Sequence, residues 1–149
     1  EEIRGIIFGL RPMPFDDLGL KAAFERLLTV INEEKQFEIE ASIEDVSCET
    51  NIVVATLYRA VQECLTNIRK HAEATKIVFC TGMRNGLYKI TIIDNGKGFN
   101  ETVLEEKKNN HFGMALIKER INLIGGKVII DSEIDKGTKI EIEVPIRKV

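Results

Sequence analysis

The 149-residue sequence predicts an α+β protein with helices on one face of a mixed, mostly antiparallel sheet. Strand-like and helix-like stretches alternate irregularly, unlike the regular strand–helix repeat of a parallel sheet. Two pairs of strand-like stretches are joined by short turns, at Asn85-Gly86 and at Asp135-Lys136-Gly137, and such turns impose antiparallel pairing. A chain of this length buries about 70% of the surface that it exposes when unfolded, so one domain with a full core is expected.

The first half of the chain predicts two helices with a strand between them. The first helix is expected at about residues 17–35, capped by Asp16 or Asp17. Its apolar stripe recurs at helical spacing and consists of Leu20, Phe24, Leu27, Leu28 and Ile31. The stretch "FEIEASI" alternates polar and apolar side chains and predicts a strand with one face in water. The longest helix is expected at residues 50–72.

The rest of the chain predicts two hairpins with a helix between them. The first hairpin joins "TKIVFCTGM" to "LYKITIID" through an Asn-Gly turn, the dipeptide that two-residue hairpin loops favour. Residues 100–110 are polar and without period, which predicts a mobile loop. A shorter helix is expected at about residues 113–124, closed by two glycines, and the second hairpin joins "KVIIDSE" to "TKIEIEV".

Composition argues against several classes of function. The net charge of −3 and the sequence pI near 5.5 give no positive field to attract a phosphate backbone, so no nucleic-acid partner is expected. No apolar run reaches the roughly 18 residues of a membrane span, and no signal-peptide pattern is visible. Cys48, Cys64 and Cys80 are widely spaced without a ligand pattern, which favours buried thiols in a reducing compartment over zinc or disulfides.

The start of the sequence suggests a piece of a longer protein. It does not begin with Met, and "EEIRGIIFGLRP" is typical of the last turns of a helix stopped by Pro12. We therefore expect residues 1–12 to be the end of a preceding helix with a junction, and residues 13–149 to be the folded domain. The parent protein is expected to place this domain in the cytoplasm.

The long helix carries a polar stripe opposite its apolar side. At about 100° per residue, Glu63, Asn67 and Lys70 fall within about 60° of one another, with His71 at the edge. An ordinary solvated helix face explains this stripe as well. Asn67 favours a functional role, because Asn is a poor helix former and is more expected in a helix when its amide oxygen has a ligand.

The stretch "DNGKG" at residues 94–98 follows a strand and is a second candidate site. As a calcium loop it has Gly96 and Gly98 where oxygen ligands should stand, and as a dinucleotide fingerprint it lacks the third glycine. It also fails as a phosphate loop, because no Ser or Thr follows the Gly-Lys pair. A simple turn remains open, but it would leave Gly98 unexplained because Gly96 alone satisfies a two-residue turn.

A third candidate is the end of the polar loop, where Gly113 precedes a helix in "NNHFGMALIKER". A glycine at this point lets a loop swing and brings free backbone N–H groups toward an anion. Ordinary loop-to-helix geometry explains the same residues equally well. Each of the three segments is a weak indication by itself, whereas their order along the chain is specific.

That order resembles the ATP-binding domain of the GHKL superfamily, which includes sensor histidine kinases, type II topoisomerases and anti-sigma-factor kinases. "QECLTNIRKHA" resembles the N box, "DNGKGF" and "HFGMALIKER" resemble the two glycine boxes, and "KGTKIEIEVP" resembles the closing hairpin. The start, "GLRPMPFDDLGLKAAF", is similar to the junction before the catalytic domain in NarL/DesK-type kinases, closest to the DegS-like group. The resemblance covers nearly the whole chain and implies a two-layer α/β sandwich of the Bergerat type.

The resemblance implies a role for each matching residue. Asp94 would bind the adenine amino group, because a carboxylate accepts from that group and repels the carbonyl oxygen of guanine. Asn67 would be the protein's Mg²⁺ ligand, with Lys70 at the phosphates and His71 beside them. Glu63 would be the catalytic acid of the N box. The other ATP-binding positions that the match implies are Gly96, Gly98, Phe99, Phe112, Gly113, Met114 and Thr138.

The match also implies a lid at about residues 100–112, and it has two departures. His111 stands where many relatives have the first glycine of the second glycine box. Ile117-Lys118 replaces the usual Met-Arg pair. Both departures concern the geometry of the lid more than nucleotide binding.

The implied activity is transfer of the γ-phosphoryl group of Mg-ATP to a histidine on a dimerisation helix outside this chain. Neither His71, on the nucleotide helix, nor His111, in the lid, suits the acceptor role. The implied partners are the dimerisation and phosphoacceptor domain of the same protein and a response regulator of the LuxR/NarL type. The whole protein is expected to be a homodimer and this fragment a monomer.

Three alternatives use the same fold. They are an anti-sigma-factor-type serine kinase, an ATP-driven clamp in which Glu63 activates water, and a scaffold that binds no nucleotide. The "LRPMPFDDLGL" junction argues against the serine kinase. The clamp predicts appreciable steady-state ATP hydrolysis by the isolated chain. The scaffold predicts no thermal shift when Mg-ATP is added.

Overall fold

The computed structural model of the protein describes residues 14–33, 37–46, 51–98 and 112–146. The helices are α1 (Pro14–Asn32), α2 (Asn51–Asn67), which continues as a π-helical turn (Ile68–Ala72), and α3 (Phe112–Leu123). The strands are β1 (Glu38–Ile43), β2 (Lys76–Arg84), β3 (Leu87–Asp94), β4 (Lys127–Glu133) and β5 (Gly137–Pro145). The predicted junction at residues 1–12 and, apart from Phe112, the predicted lid lie outside the described residues.

The five strands form one mixed sheet in the order β1-β2-β3-β5-β4. β1 and β2 run parallel, whereas the β2–β3, β3–β5 and β4–β5 pairs are antiparallel. The predicted α+β class with a mixed, mostly antiparallel sheet is therefore confirmed. The order also places the ends of β3 and β5, with Asp94 and Thr138, at the middle of the sheet.

One face of the sheet is covered and the other is open. Tyr88, Ile90 and Ile92 of β3 are at most 1% exposed, and they alternate with more accessible side chains. The helices pack on this covered face, where Phe24 of α1 and Phe79 of β2 meet edge to face with ring centroids 5.4 Å apart. The period-2 pattern of the sequence thus predicts correctly which side chains enter the core.

The open face of the sheet carries charged side chains in cross-strand pairs. The Lys89 ammonium lies 2.6 Å from the Glu141 carboxylate, and Lys76 lies 3.3 Å from Glu40. Exposed pairs of this kind contribute at most about 1 kcal/mol each. They keep the open face soluble in water and contribute little to the choice of fold.

Gly19 interrupts α1. Its φ of 78° and ψ of 169° are not helical, so the helix restarts at Leu20. The Asp45 carboxylate, from the segment after β1, accepts a hydrogen bond from the Lys21 N–H at 3.2 Å and satisfies a donor of this new helix start. The helix predicted at about residues 17–35 is present, but it begins and ends about three residues earlier than predicted, and the periodicity does not reveal the break at Gly19.

The longest helix is regular only as far as Asn67. Leu57 and Cys64 of α2 are fully buried, and burial raises the pKa of the Cys64 thiol to about 12, which keeps it protonated. Residues Ile68–Ala72 then form a π-helical turn, which ends at Glu73 with φ 53°. The predicted helix at residues 50–72 is thus confirmed in extent, with a wider last turn than expected.

Both predicted hairpins are confirmed. Asn85 and Gly86, with φ of 54° and 79°, join β2 to β3, and Asp135 and Gly137 adopt φ of 67° and 93° between β4 and β5. α3 differs from its predicted bounds by one residue at each end. Among the described residues, no helix is long and apolar enough to cross a membrane.

Candidate functional site

The loop after β3 is fixed against the end of the long helical segment. A Cβ atom added to Gly96 would lie 2.2 Å from the Ala72 carbonyl oxygen, so a side chain cannot be placed there without moving the backbone. The Lys97 N–H donates to the same carbonyl at 2.7 Å. The glycine loop therefore touches the π-helical turn that carries Lys70 and His71.

The same loop is held from the other side by the turn between β4 and β5. Gly98 has φ +61°, and a Cβ atom on it would lie 2.0 Å from the Glu133 carbonyl oxygen. The Asp135 N–H donates to the Lys97 carbonyl oxygen at 2.6 Å. Gly98 is thus required both for its left-handed backbone and for close approach. A simple turn, left open by the sequence, does not explain these contacts.

Asn95 ties the loop to the start of β2. Its Oδ1 atom accepts hydrogen bonds from the Thr75 and Lys76 N–H groups, each at 2.9 Å. Its Nδ2 atom donates to the Thr75 hydroxyl at 2.9 Å. Asn95 was not among the predicted site residues. A signal was present, because Asn side chains often replace backbone partners at turns.

Asp94, the last residue of β3, is the buried acid of this region. It is 4% exposed, and its Oδ1 atom accepts a hydrogen bond from the Gly96 N–H at 2.8 Å. Burial raises the pKa of the Asp94 carboxyl above its usual range, and the N–H groups of Gly96 and Thr138 partly oppose this shift by stabilising the charge. A buried carboxylate with fixed orientation is suited to accept a hydrogen bond from a ligand.

A row of polar side chains extends from Asp94 across the covered face of the sheet. Asp94 pairs with Thr138 on β5, and Thr138 pairs with Ser132 on β4. The Ser132 and Thr138 hydroxyl oxygens are 2.8 Å apart. Asp94 and Thr138 are among the residues predicted from the sequence, whereas Ser132 is not, because a serine in "KVIIDSE" gives no signal beyond an ordinary strand residue.

A cavity of about 310 Å³ lies between α2 and α3, and Glu63 is the residue of the polar stripe that lines it. Glu63 lines this cavity together with Thr66 of the same helix and Arg59 and Arg120 from the two sides. The two arginines were not among the predicted site residues. Asn67 is half-buried at the end of α2, and Lys70 and His71 are exposed in the π-helical turn.

A second cleft of about 220 Å³ lies at the strand ends, and its lining includes Asp94, Thr138, Gly137 and Lys139. It is separate from the cavity beside Glu63. The two regions are nevertheless connected through the contact of the glycine loop with the π-helical turn.

The remaining predicted residues are placed only in part. Phe99 lies outside the described residues, and Phe112 and Gly113 are the first two residues of α3. Met114 is 5% exposed and packs in the hydrophobic core. Contact between any of these four residues and a nucleotide stays a prediction.

The model of the family described as "Histidine kinase-, DNA gyrase B-, and HSP90-like ATPase" matches residues 52–148. This range contains the polar stripe of α2, the glycine loop after β3 and the hairpin of β4 and β5.

Curated relatives extend the similarity to nearly the whole chain. The sensor histidine kinase LiaS of Bacillus subtilis is 35% identical over 145 residues, which are 97% of this chain and 39% of LiaS. The signal transduction histidine-protein kinase/phosphatase DegS of Brevibacillus brevis is 36% identical over 146 residues, 97% of this chain and 37% of DegS. The oxygen sensor histidine kinase NreB of Staphylococcus carnosus is 32% identical over 98% of this chain and 42% of NreB. The chain thus spans about two fifths of the length of these three relatives.

Solved structures share the fold at low sequence identity. The histidine kinase domain of a blue-light activated kinase from Erythrobacter litoralis superposes with a TM-score of 0.72 at 19% identity, covering 86% of this chain and 61% of that one. The mycobacterial sensor histidine kinase MprB gives a TM-score of 0.70 at 20% identity, covering 89% of this chain and 97% of that one. These superpositions confirm the predicted sandwich fold.

Proposed function

Because the chain belongs to the histidine kinase-, DNA gyrase B- and HSP90-like ATPase family, we propose that it binds Mg-ATP and acts as the catalytic domain of a two-component sensor histidine kinase. The observation that carries the proposal is the buried Asp94 carboxylate, oriented by the Gly96 N–H at the end of β3. The relatives LiaS, DegS and NreB, which are named as histidine kinases, support this choice within the family.

Asp94 is the proposed reader of the adenine base. Its carboxylate offers only acceptors, so the exocyclic amino group of adenine can donate to it. The carbonyl oxygen that guanine presents at the same position would face a negative charge without a proton between them. Gly96, which no residue with a Cβ atom can replace without backbone movement, keeps the donor to Asp94 in place.

The end of the long helical segment fits the phosphates and their metal ion. Asn67 offers an amide oxygen on the helix side that also carries Glu63, and Mg²⁺ prefers oxygen ligands while it retains several waters and binds phosphate oxygens. Lys70 and His71 follow in the exposed π-helical turn and supply positive charge or hydrogen-bond donors to the phosphates. The bound ion would neutralise the charge of the phosphates.

Phosphoryl transfer requires positioning and charge neutralisation more than covalent chemistry by the protein. The proposed acceptor is a histidine on the dimerisation and phosphoacceptor domain of the same protein, outside this chain. Glu63 lines the cavity between α2 and α3, where it can orient that histidine or a water on the metal ion. The phosphoryl group would then pass to a response regulator, for which we propose the LuxR/NarL type.

We further propose that this domain lies in the cytoplasm, that the whole protein is a homodimer and that the isolated chain is a monomer. Homodimerisation would place the acceptor histidine of one copy within reach of a catalytic domain. Residues 1–12 would connect to the dimerisation helix.

Thermal shift with matched nucleotides tests the proposal. Mg-ATP at about 100 times its Kd should stabilise the protein by about 2.7 kcal/mol, which raises Tm by about 5–10 °C for a chain of this size. Mg-GTP should give a much smaller shift. Asp94→Asn should remove the ATP response, and Asn67→Ala should remove its dependence on Mg²⁺. An ATP response that is unchanged in Asp94→Asn, or equal for GTP, would contradict the assignment of adenine to this residue.

Transfer to histidine is tested separately. The chain, mixed with a dimerisation fragment that carries the acceptor histidine, should label that fragment from γ-labelled ATP, and Glu63→Gln should slow the labelling. Rapid steady-state ATP hydrolysis without labelling of the fragment would instead favour an ATP-driven clamp in which Glu63 activates water.

A further inference from the structure

We propose that Ser132 is a positioning residue for nucleotide selectivity: it fixes the Thr138 hydroxyl so that this group can only accept a hydrogen bond from the ligand. The inference rests on the proposed binding of ATP beside Asp94. It goes beyond that proposal because it assigns a role to Ser132 and a direction to the hydrogen bond of Thr138.

The geometry starts from the polar row on the covered face of the sheet. Ser132, Thr138 and Asp94 lie directly opposite one another on β4, β5 and β3. The next row into the core on the same three strands consists of isoleucines: Ile130, Ile140 and Ile92. The three polar residues therefore form the boundary between an apolar core and the end of the sheet where the glycine loop lies.

The hydroxyl protons of this row can be assigned. The Ser132 hydroxyl donates to the Gly137 carbonyl oxygen at 3.2 Å, and it also lies 2.8 Å from the Thr138 hydroxyl oxygen. A serine hydroxyl has one proton and can accept through its lone pairs. Both contacts are hydrogen bonds only if Ser132 donates to Gly137 and Thr138 donates to Ser132.

This assignment determines what Thr138 presents to a ligand. Its proton is directed to Ser132, so only the lone pairs of its oxygen remain for a group bound at the strand ends. The neighbouring Asp94 carboxylate also accepts when charged. The two residues together offer acceptors to the amino group of adenine and no proton to a carbonyl oxygen at the same position.

Loss of the Ser132 hydroxyl should allow the Thr138 hydroxyl to donate a hydrogen bond to a ligand as well as to accept one. In Ser132→Ala the Thr138 hydroxyl loses its acceptor and can rotate, so it becomes able to donate to a ligand carbonyl. Inosine triphosphate is the sharpest probe, because hypoxanthine carries a carbonyl in place of the adenine amino group and lacks the 2-amino group of guanine. Hypoxanthine also carries a proton on N1, where adenine has a lone pair, so comparison of ATP with inosine triphosphate reports on two adjacent positions of one ring edge.

The experiment measures Kd for Mg-ATP and for the Mg complex of inosine triphosphate on the parent chain and on Ser132→Ala. Exchange of one hydrogen bond of this kind corresponds to roughly a five- to tenfold change in affinity. We expect the preference for ATP to fall by about this factor in Ser132→Ala. Ser132→Thr, which keeps a hydroxyl, should retain the parent preference, and Thr91→Ala, which removes a hydroxyl from β3 on the open face, should not change it.

A double-mutant cycle separates positioning from general structure. If Ser132 acts through Thr138, Ser132→Ala should have no further effect on the preference in a Thr138→Val background. An equal effect in both backgrounds, or an unchanged preference in Ser132→Ala, would overturn the inference while leaving ATP binding intact. Failure of the parent chain to bind Mg-ATP would overturn the proposed function itself. If Ser132→Ala does not fold, Ser132→Cys, which has a weaker donor and acceptor, serves the same comparison with the same expected direction.

Discussion

The chain contains two Asn-Gly pairs, ten residues apart, and the structure uses them in different ways. Asn85 and Gly86 both have positive φ, are exposed, and join two antiparallel strands, and a Cβ atom on Gly86 would meet nothing within 4 Å. Asn95 and Gly96 follow a strand without forming a hairpin, and Gly96 is buried against the Ala72 carbonyl oxygen. In the first pair glycine supplies a backbone conformation, and in the second it supplies space.

The difference comes from the residues on either side of each pair. The first pair needs only local geometry, because strand pairing on both sides completes its hydrogen bonds. The second is preceded by a buried acid and followed by Gly98, and its loop is held by both the π-helical turn and the turn between β4 and β5. The same dipeptide is thus a solvated connection in one place and part of the packed site in the other.

Replacement of each glycine by alanine should show the difference most strongly. Gly96→Ala places a Cβ atom 2.2 Å from a backbone oxygen, so the loop or the π-helical turn must move, at a cost of at least about 3 kcal/mol. Gly86→Ala meets no atom and should cost only the left-handed strain, about 1–2 kcal/mol. Urea denaturation monitored by far-UV circular dichroism measures both values.

Equal costs for Gly96→Ala and Gly86→Ala would contradict the close approach at Ala72. Nucleotide provides a second measurement on the same variants. Gly86→Ala should keep the thermal response to Mg-ATP, whereas Gly96→Ala should lose it, because the donor to Asp94 is displaced with the loop.

Replacement of each asparagine should give a smaller contrast. Asn95→Ala removes the acceptor of two backbone N–H groups and the donor to the Thr75 hydroxyl, which should cost about 2 kcal/mol. Asn85→Ala removes only a residue that tolerates positive φ well and should cost less than about 1 kcal/mol. Asn95→Asp keeps the acceptor and loses the donor, so its free energy of unfolding should lie between those of the parent and Asn95→Ala. A loss in Asn95→Ala no larger than in Asn85→Ala would show that the side-chain contacts to β2 contribute nothing.

Asp94→Asn should stabilise the free protein while it abolishes nucleotide binding. Burial raises the pKa of the Asp94 carboxyl above 3.8, so the folded state binds more protons than the unfolded state between the usual and the raised pKa. Stability of the parent therefore falls as pH rises through this window, and above it the folded protein carries the full cost of the buried charge. Asn carries no charge, so Asp94→Asn should unfold at a higher temperature than the parent at pH 7.

The pH dependence of that difference is the control. The advantage of Asp94→Asn should shrink as pH falls through the raised pKa, because Asp94 is then protonated in the folded state as well. An advantage that is independent of pH would mean that charge burial is not its cause. Asn95→Asp, one residue further along, adds a carboxylate at an exposed position and should show no such gain at neutral pH.

Much of the fold was predictable, because its strands and helices follow local patterns. Alternation in "LYKITIID" and the Asn-Gly turn predict β3 and its hairpin correctly, and the helical spacing in α2 identifies its buried side. The break at Gly19 was missed, because it is accompanied by a contact between the Lys21 N–H and the Asp45 carboxylate 24 residues away, which no local pattern encodes. The π-helical end of the long helix was missed for a similar reason, since its packing partner is the loop around Gly96.

The candidate site was predictable to the extent that chemistry limits the residue type. Asp94 and Gly98 stand out in the sequence, because an acid at the end of a strand and a glycine that a turn does not need both require explanation. Ser132 was missed, because its role consists of a contact with a residue on another strand. Asn95 stands at a turn, where Asn often replaces backbone partners, but its partners at the start of β2 could not be identified from the sequence. The register that brings Ser132 opposite Thr138 follows from how the whole hairpin forms and not from the serine itself.

The smallest expected effect on stability is that of Lys97→Ala, which tests whether the packed loop is held by its backbone or also by a side chain. Lys97 pairs with Glu73 at 3.3 Å, but both side chains are more than half exposed, so Lys97→Ala should change stability by less than about 0.5 kcal/mol. The backbone of the same residue donates to the Ala72 carbonyl and accepts from the Asp135 N–H, and alanine retains both bonds. Urea denaturation in low and in high salt measures the difference, which should disappear as salt screens the pair. A decrease in the free energy of unfolding well above 1 kcal/mol that persists in high salt would mean that the Lys97 side chain helps to hold the loop. The difference between this loop and the solvated turn at Asn85 would then not be due to backbone packing alone.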